Sequence, residues 1–422
     1  MTYPFQAGQA GLLDPDDIDI DIDGAGPAAD AALAYVPSLS HTLMVACWLA
    51  LVVVLVAEWT RWNSSATPAG DTGVVYQSYP QNSPQDSPAT AMLASQSSVL
   101  VPMPPGVPSA HASSLAALPN KDLMVFWWAG SRESGPDVKV YSALWRGGRW
   151  SAAREVASRE SLGAALGFGV RRIGNPVAWT APDGSLHLYV VATGLGGWAA
   201  SRVAHLVSTD HGERFEVRRL LPLSPLFNTS ALVRAAPVPL RDGGWWLPMY
   251  FELGIKYPTL MAFNADGSPR SLSRIGARTD TLQPSLTISG QRAHALMRDA
   301  SDARRVQHAV SIDGGLTWDD MPALNLPNYS TSVALLRLSS GAMLLLHNHV
   351  DALASDRSQL RLSVSSDARS WTRVLDVARG SPGEEFSYPT LRQIGNELHV
   401  TYTSRRTAIA HHVYRIADKV VR

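Results

Sequence analysis

The polar residues of this chain that could do chemistry stand at the ends of short apolar runs. Arg132, Glu133 and Asp137 follow Phe126-Trp-Trp within Gly130-Ser-Arg-Glu-Ser-Gly-Pro-Asp137. Gln283-Pro284 opens one run, and Arg298-Asp299 closes the next. His347-Asn348-His349 follows Leu344-Leu-Leu, with Arg357 beyond it. Tyr388-Pro389 begins a run that leads to Tyr402, Arg405 and Arg406. Taken singly, each has an ordinary role: a strand-end arginine is a surface residue or an ion-pair partner, and Tyr388 is a half-buried strand tyrosine. His347 and His349 lie two apart on one strand face, as metal ligands can, but no further Asp/His cluster stands near them, so no metal site is expected. The run Asp14-Pro-Asp-Asp-Ile-Asp-Ile-Asp-Ile-Asp23 lacks the glycine and the closing glutamate of a calcium loop. These groups form a site only where the fold gathers them.

The elements that would gather them are legible through a repeat. In Ser311-Ile-Asp313-Gly-Gly315-Leu-Thr317-Trp318 a strand-like stretch enters a tight turn. The Asp bonds the backbone of its own turn, the glycines supply positive φ, and the Trp buries beneath. The phrase recurs as Ser208-Thr-Asp210-His-Gly212-Glu-Arg-Phe215 and, one residue shorter, as Ser365-Ser-Asp367-Ala-Arg-Ser-Trp371. Ser142 to Trp150 reads as a worn copy. Asp313 and Asp367 are 54 residues apart, and Asp210 and Asp313 are 103 apart, close to two such steps. A period of about 50 residues with strand-turn-strand content points to propeller blades.

Beyond residue 98 strand-like runs alternate with turns. Leu123-Met-Val-Phe-Trp-Trp, Leu186-His-Leu-Tyr-Val-Val and Glu397-Leu-His-Val-Thr-Tyr are examples, and Asp183-Gly184, Asp242-Gly243 and Asp266-Gly267 are hairpin dipeptides. The reading is all-β: a six-bladed β-propeller over residues 99–418, from about 320 residues at roughly 50–55 per blade. In a propeller, inner-strand ends and connecting loops converge at the central channel, which is where the polar residues above would meet.

The rest of the chain reads differently. Residues 1–41 hold seven Asp and no Lys or Arg, and are expected to be a disordered acidic segment. Leu43 to Ala57 is uncharged and apolar, with Trp59 and Trp62 suited to a membrane interface, so a transmembrane helix is expected over 42–62. Residues 63–98 are rich in Ser, Pro and Gln and read as a linker. The whole chain balances 36 Lys and Arg against 36 Asp and Glu, so charge gives no sign of a nucleic-acid partner. From residue 63 onward 35 basic residues face 28 acidic ones, compatible with an anionic substrate. The single cysteine, Cys47, excludes a disulfide framework.

The Asp boxes, together with His111-Ala-Ser113, Gly130 to Asp137, Asn175-Pro176, Gln283-Pro284, Asn348, Ser387-Tyr-Pro389 and Tyr402-Thr-Ser-Arg-Arg406, resemble the sialidase (neuraminidase) superfamily, in its BNR/Asp-box branch. The resemblance covers roughly residues 100–416. It implies a sialidase-like propeller and an arginine triad for a sugar carboxylate, to which bidentate guanidinium recognition is suited. It also implies a tyrosine nucleophile activated by a glutamate, with an aspartate as acid/base. Carried over by position, Asp137 is the acid/base and Tyr388 the nucleophile. Arg132 is a second active-site arginine, Arg298 the middle triad member and Arg357 the last.

Two positions depart from the family pattern. Where the first triad arginine belongs, this chain has Ala110-His111-Ala-Ser-Ser-Leu, and where the activating glutamate belongs it has Gln283. An amide orients a phenol but does not accept its proton. His111 or Glu133 would have to substitute. Together with the single-pass membrane anchor expected from the apolar run, the resemblance implies a glycoside hydrolase with its propeller outside the cytoplasm, acting on an anionic sugar, sialic acid or a uronic acid. Asp137, Tyr388 and Gln283 would stand at the chemistry, and Arg132, Glu133, Arg298, Arg357, His111, Asn348 and Arg405 would hold substrate, with no cofactor. The alternative is a non-catalytic glycan-binding propeller.

Overall fold

The alternating apolar runs form strands, and these pair antiparallel into six sheets. The computed structural model describes residues 41–64, 93–222, 230–349 and 356–416. The sheets follow one another along the chain as blades. Their first strands are Ser109–Ala117, Arg172–Thr180, Ala231–Val233, Thr281–Ser289, Ala334–Arg337 and Phe386–Ile394. The first strand of the first blade packs on those of the second and sixth, and the fifth does so on the fourth and sixth. These inner strands surround the centre. The six-bladed all-β propeller read from the sequence is the fold.

The ring closes with a strand from before the first blade. Leu93–Leu100 pairs antiparallel with Ala408–Ile416, from Leu93 opposite Ile416 to Leu100 opposite Ala410, and becomes the outer strand of the last blade. The linker expected over 63–98 therefore ends too late, because Leu93 to Ser98 belong to this strand. The reason is exposure: most side chains of this edge strand face solvent, so its Ser and Gln cost nothing and mimic linker composition. Residues 65–92 and 1–40 lie outside the described residues.

Apolar packing holds blade to blade. Each junction between adjacent blades carries its own buried cluster, such as Phe126 and Trp128 with Leu188 and Val190 between the first and second. Trp245 and Phe263 meet Tyr189 between the second and third, and Leu344 and Leu362 meet Val400 between the fifth and sixth. Burial of a large apolar side chain contributes on the order of 1.5–3 kcal/mol, so the ring gains most of its cohesion at these seams.

The Asp boxes all occupy one place, the turn between the third and fourth strands of a blade. In the fourth blade Asp313 Oδ1 accepts from Ser311 Oγ at 2.8 Å, Leu316 N at 3.1 Å and Thr317 N at 3.0 Å, while Trp318 Nε1 donates to Gly315 O at 3.1 Å. Asp210 and Asp367 repeat the pattern in the second and fifth blades. The box also locks neighbours. Gly315 has φ +81°, and a Cβ there would come within 2.8 Å of Leu260 and 2.9 Å of Trp246, both of the third blade. Glycine is required for the turn and for the seam at once.

Three alternate blades carry a further repeat that sequence reading passed over. His187–His205, His294–His308 and His399–His411 are buried, stacked pairs joined Nδ1 to Nε2 at 2.8, 3.2 and 3.1 Å, in the second, fourth and sixth blades.

The expected membrane span is corrected. Helix α1 (His41–Ser64) forms over the apolar run. Among the described residues, however, no helix is long and apolar enough to cross a membrane.

Candidate functional site

Inner strands place side chains in the channel through a shared irregularity. The pairing of first and second strands breaks between His111 and Ser114, Ile173 and Pro176, Leu282 and Ser285, and Ser387 and Thr390. Each is a bulge, which leaves a residue unpaired and re-aims it. Three of these bulges hold non-glycine residues with left-handed backbone: Ala112 at φ 57°, Gln283 at 51° and Tyr388 at 51°. Such strain costs of order 1–3 kcal/mol each. A proline follows Gln283 and Tyr388, where the bulge asks for no ladder donor. The Asn-Pro, Gln-Pro and Tyr-Pro dipeptides of the sequence are these bulges.

Gln283 and Tyr388 meet across the channel. Gln283, 2 % exposed, directs Nε2 to Tyr388 Oη and to Tyr250 Oη, both at 3.4 Å, and accepts from Arg298 Nη1 through Oε1 at 3.3 Å. Arginine only donates, so it fixes the amide: oxygen to the guanidinium, NH2 to the phenols. Arg298 Nε also donates to Ser330 Oγ at 3.0 Å, and Arg357 Nη2 to Ser330 O at 3.4 Å. Four blades thus converge through Gln283 and Ser330, and Tyr388, Arg298 and Arg357 belong to one constellation.

His111 joins it from the first blade. Its ring lies 4.1 Å from that of Tyr388, centre to centre, and neither ring nitrogen has a hydrogen-bond partner. Burial, aided by the charge of Arg406, holds its pKa well below the ordinary value, so the imidazole is neutral. Beneath Tyr388 lies Arg234, 3 % exposed, with Cζ 5.0 Å from the ring centre. Its Nη2 donates to Pro389 O at 2.9 Å and its Nη1 to Ser113 O at 3.3 Å. Burial lowers its pKa to about 10, which leaves it charged near neutrality. Its hydrogen-bond acceptors are uncharged carbonyls.

Glu385 makes the acidic half of the site. Oε1 accepts from Arg357 Nη1 at 2.8 Å and from Ser387 Oγ at 2.5 Å, and Oε2 from Arg406 Nε at 2.6 Å. Burial pushes its carboxyl up, but Ser387 and the two arginines outweigh that and hold it at about 2. Arg406 also pairs with Glu133.

The remaining expected residues are placed elsewhere. Asp137 is exposed and accepts from Ser131 N and Ser131 Oγ, both at 2.7 Å, which chiefly lowers its pKa. It is an ionised acceptor within its own loop, and Arg132 is an exposed member of that loop. Glu133 is engaged with Arg406 rather than with Tyr388. Asn348 spends its Nδ2 on the carbonyls of Arg357, Gln359 and Phe386, which stitches the fifth blade to the sixth. Arg405 faces outward to Glu384 at 2.5 Å, and its neighbour Arg406 turns inward instead. Arg234, Tyr250, Ser330 and Glu385 escaped sequence reading. Only Arg234 carried a signal, the Val-Arg-Ala-Ala-Pro ending of an inner strand. Glu384-Glu385 resembles any acidic surface turn.

Comparison with known proteins agrees with this architecture. The pattern of the BNR repeat-like domain matches residues 121–400. No curated protein matches the chain by sequence. Among solved structures, a Dyadobacter fermentans protein of unknown function is similar at 15 % identity and TM-score 0.60, over 77 % of this chain and 99 % of that one. A Trypanosoma rangeli sialidase in complex with sialic acid is similar at 14 % identity and TM-score 0.57, over 77 % of this chain and 58 % of that one. The Ruminococcus gnavus intramolecular trans-sialidase, in complex with oseltamivir carboxylate, is similar at 12 % identity and TM-score 0.56, over 73 % and 94 %. At such identities the likeness is one of fold. With its family pattern covering most of the propeller, the chain belongs to the BNR repeat-like domain family.

Proposed function

We propose that this propeller acts on glycans, that its channel site engages an anionic sugar, sialic acid or a uronic acid, and that it cleaves the glycosidic bond. The observation that carries the reading is the convergence of Arg298, Arg357 and Tyr388 from three blades through Gln283 and Ser330. The Arg298 guanidinium supplies carboxylate recognition, and Tyr388 supplies an oxygen nucleophile of the kind sialidases use. Neutral His111, packed on Tyr388 with both ring nitrogens free of hydrogen bonds, is the group assigned to its deprotonation in this reading. For Asp137 to act as acid in this reading, its carboxylate must first take up a proton and leave Ser131, and then pass that proton to the leaving oxygen. Release of 4-methylumbelliferone from its sialoside and glucuronide tests the proposal. Turnover that persists unchanged in Tyr388→Phe overturns the assigned nucleophile.

Gln283 favours a second reading, a glycan-binding propeller without hydrolysis, because an amide accepts no proton from Tyr388. Retention of sialylated or uronylated glycans on an array, without release of product, selects it. A place at a membrane belongs to the same proposal. Its support is the exposed apolar surface of α1, including Leu43, Trp48 and Val53, and fractionation of expressing cells checks it.

A further inference from the structure

We infer that Glu385 is a specificity-determining residue of this site: it lays the chain's own carboxylate across the Arg357–Arg406 pair and directs the anionic group of a ligand to Arg298. The inference rests on the anionic-sugar reading above, and the test separates the two.

Both Glu385 oxygens are in use, Oε1 with Arg357 and Ser387, and Oε2 with Arg406. The arrangement is built into the backbone. Arg357 and Glu385 form a parallel bridge, Phe386 N donates to Arg357 O at 2.9 Å, and Arg405 N donates to Glu385 O at 2.6 Å. The side chains of Arg357 and Glu385 are each 19 % exposed, so solvent screens the pair only partly. Charge-assisted bonds of this kind are the strong ones. An internal carboxylate also acts at high effective concentration, so a ligand carboxylate must displace it to use the same donors.

The positive charge left over lies on the other side of the constellation. Arg298 is hydrogen-bonded to Ser330 Oγ and Gln283 Oε1, and Arg234 to two carbonyls, all uncharged acceptors. These two guanidinium groups flank Gln283 and Tyr388. Among the described residues, an anionic group entering the channel therefore meets charge without an acidic partner at Arg298, while that of Arg357 is paired with Glu385.

Calorimetric titration of the full chain with N-acetylneuraminate and with glucuronate tests this. Arg298→Met should lose wild-type affinity by about tenfold or more and Arg357→Met by no more than about threefold, with Glu385→Gln gaining about tenfold because it frees the Arg357–Arg406 pair. That gain should vanish in Glu385→Gln/Arg357→Met. Loss of wild-type binding in Arg357→Met, or no gain in Glu385→Gln, overturns the inference. A sugar-independent arm uses acetate: the melting temperature of Glu385→Ala should rise saturably with acetate but not with chloride, and not in Glu385→Ala/Arg357→Met. Acetate rescue without sugar binding keeps Glu385 as occupant of the arginine pair and removes the anionic sugar. Absence of rescue removes the assignment of Glu385, whatever the sugars do.

Discussion

Gln283 and Tyr388, 105 residues apart in the chain, meet Nε2 to Oη at 3.4 Å, each at a left-handed bulge that a proline follows. Two blades expend backbone strain to make this one contact. Arg298 then orients the amide so that Tyr388 receives a hydrogen bond rather than giving one to Gln283. A carboxylate here would reverse that sense and accept the phenol proton.

Gln283→Glu should therefore raise hydrolysis of a model sialoside or glucuronide. General-base assistance is worth roughly 10²–10⁴-fold, and Arg298 is already in place to pair with the new carboxylate. The readout is kcat/KM beside Gln283→Ala, which should be no faster than the parent. No gain in the glutamate variant would mean that deprotonation of Tyr388 does not limit the reaction.

Stability should fall in mild acid because of the three histidine pairs. Burial lowers His187, His294, His308 and His399 to about 4, and His205 and His411 to about 3. Unfolded, each titrates near 6.5. Between these values the unfolded chain binds more protons, so the stabilisation is complete above about pH 6.5 and is lost as pH falls toward 4 and 3. Each histidine contributes a slope of about 1.4 kcal/mol per pH unit. Melting temperatures at pH 7.5 and 5 check the sign, and His294→Leu/His308→Leu should flatten the dependence. An unaltered slope in that variant would relocate the acid sensitivity.

Asp313→Ala should destabilise the fold by about 1–3 kcal/mol, through the turn donors it strands, while leaving sugar affinity within about twofold. Chemical denaturation and the same calorimetric titration measure the two effects. A large loss of affinity at unchanged stability would assign the box to the site rather than to the rim.

Much of the fold was legible because its signals are local. The Ser-x-Asp turn carries its own hydrogen bonds, so three copies at a common spacing fix blade register without any long-range contact. The Gln-Pro and Tyr-Pro dipeptides likewise marked the inner strands, though not the bulges they form there. Arg298, Arg357, Tyr388, Gln283 and His111 could be picked out because each stands at a predictable place on an inner strand or beside one. The edge strand Leu93–Leu100 was concealed, since a strand exposed on most of its side chains needs no apolar pattern.

What the sequence determined by itself is the propeller, its blade number and which strand ends face the centre, because apolar alternation and turn chemistry act over a few residues. What only the tertiary structure decided is the electrostatic state of the centre. Glu385, which no local pattern singles out, joins Arg357 to Arg406. Arg234 lies charged beneath Tyr388, and Asp137 turns to Ser131. Charge pairing depends on distance and burial across blades, and neither is encoded in the spacing of residues along one strand.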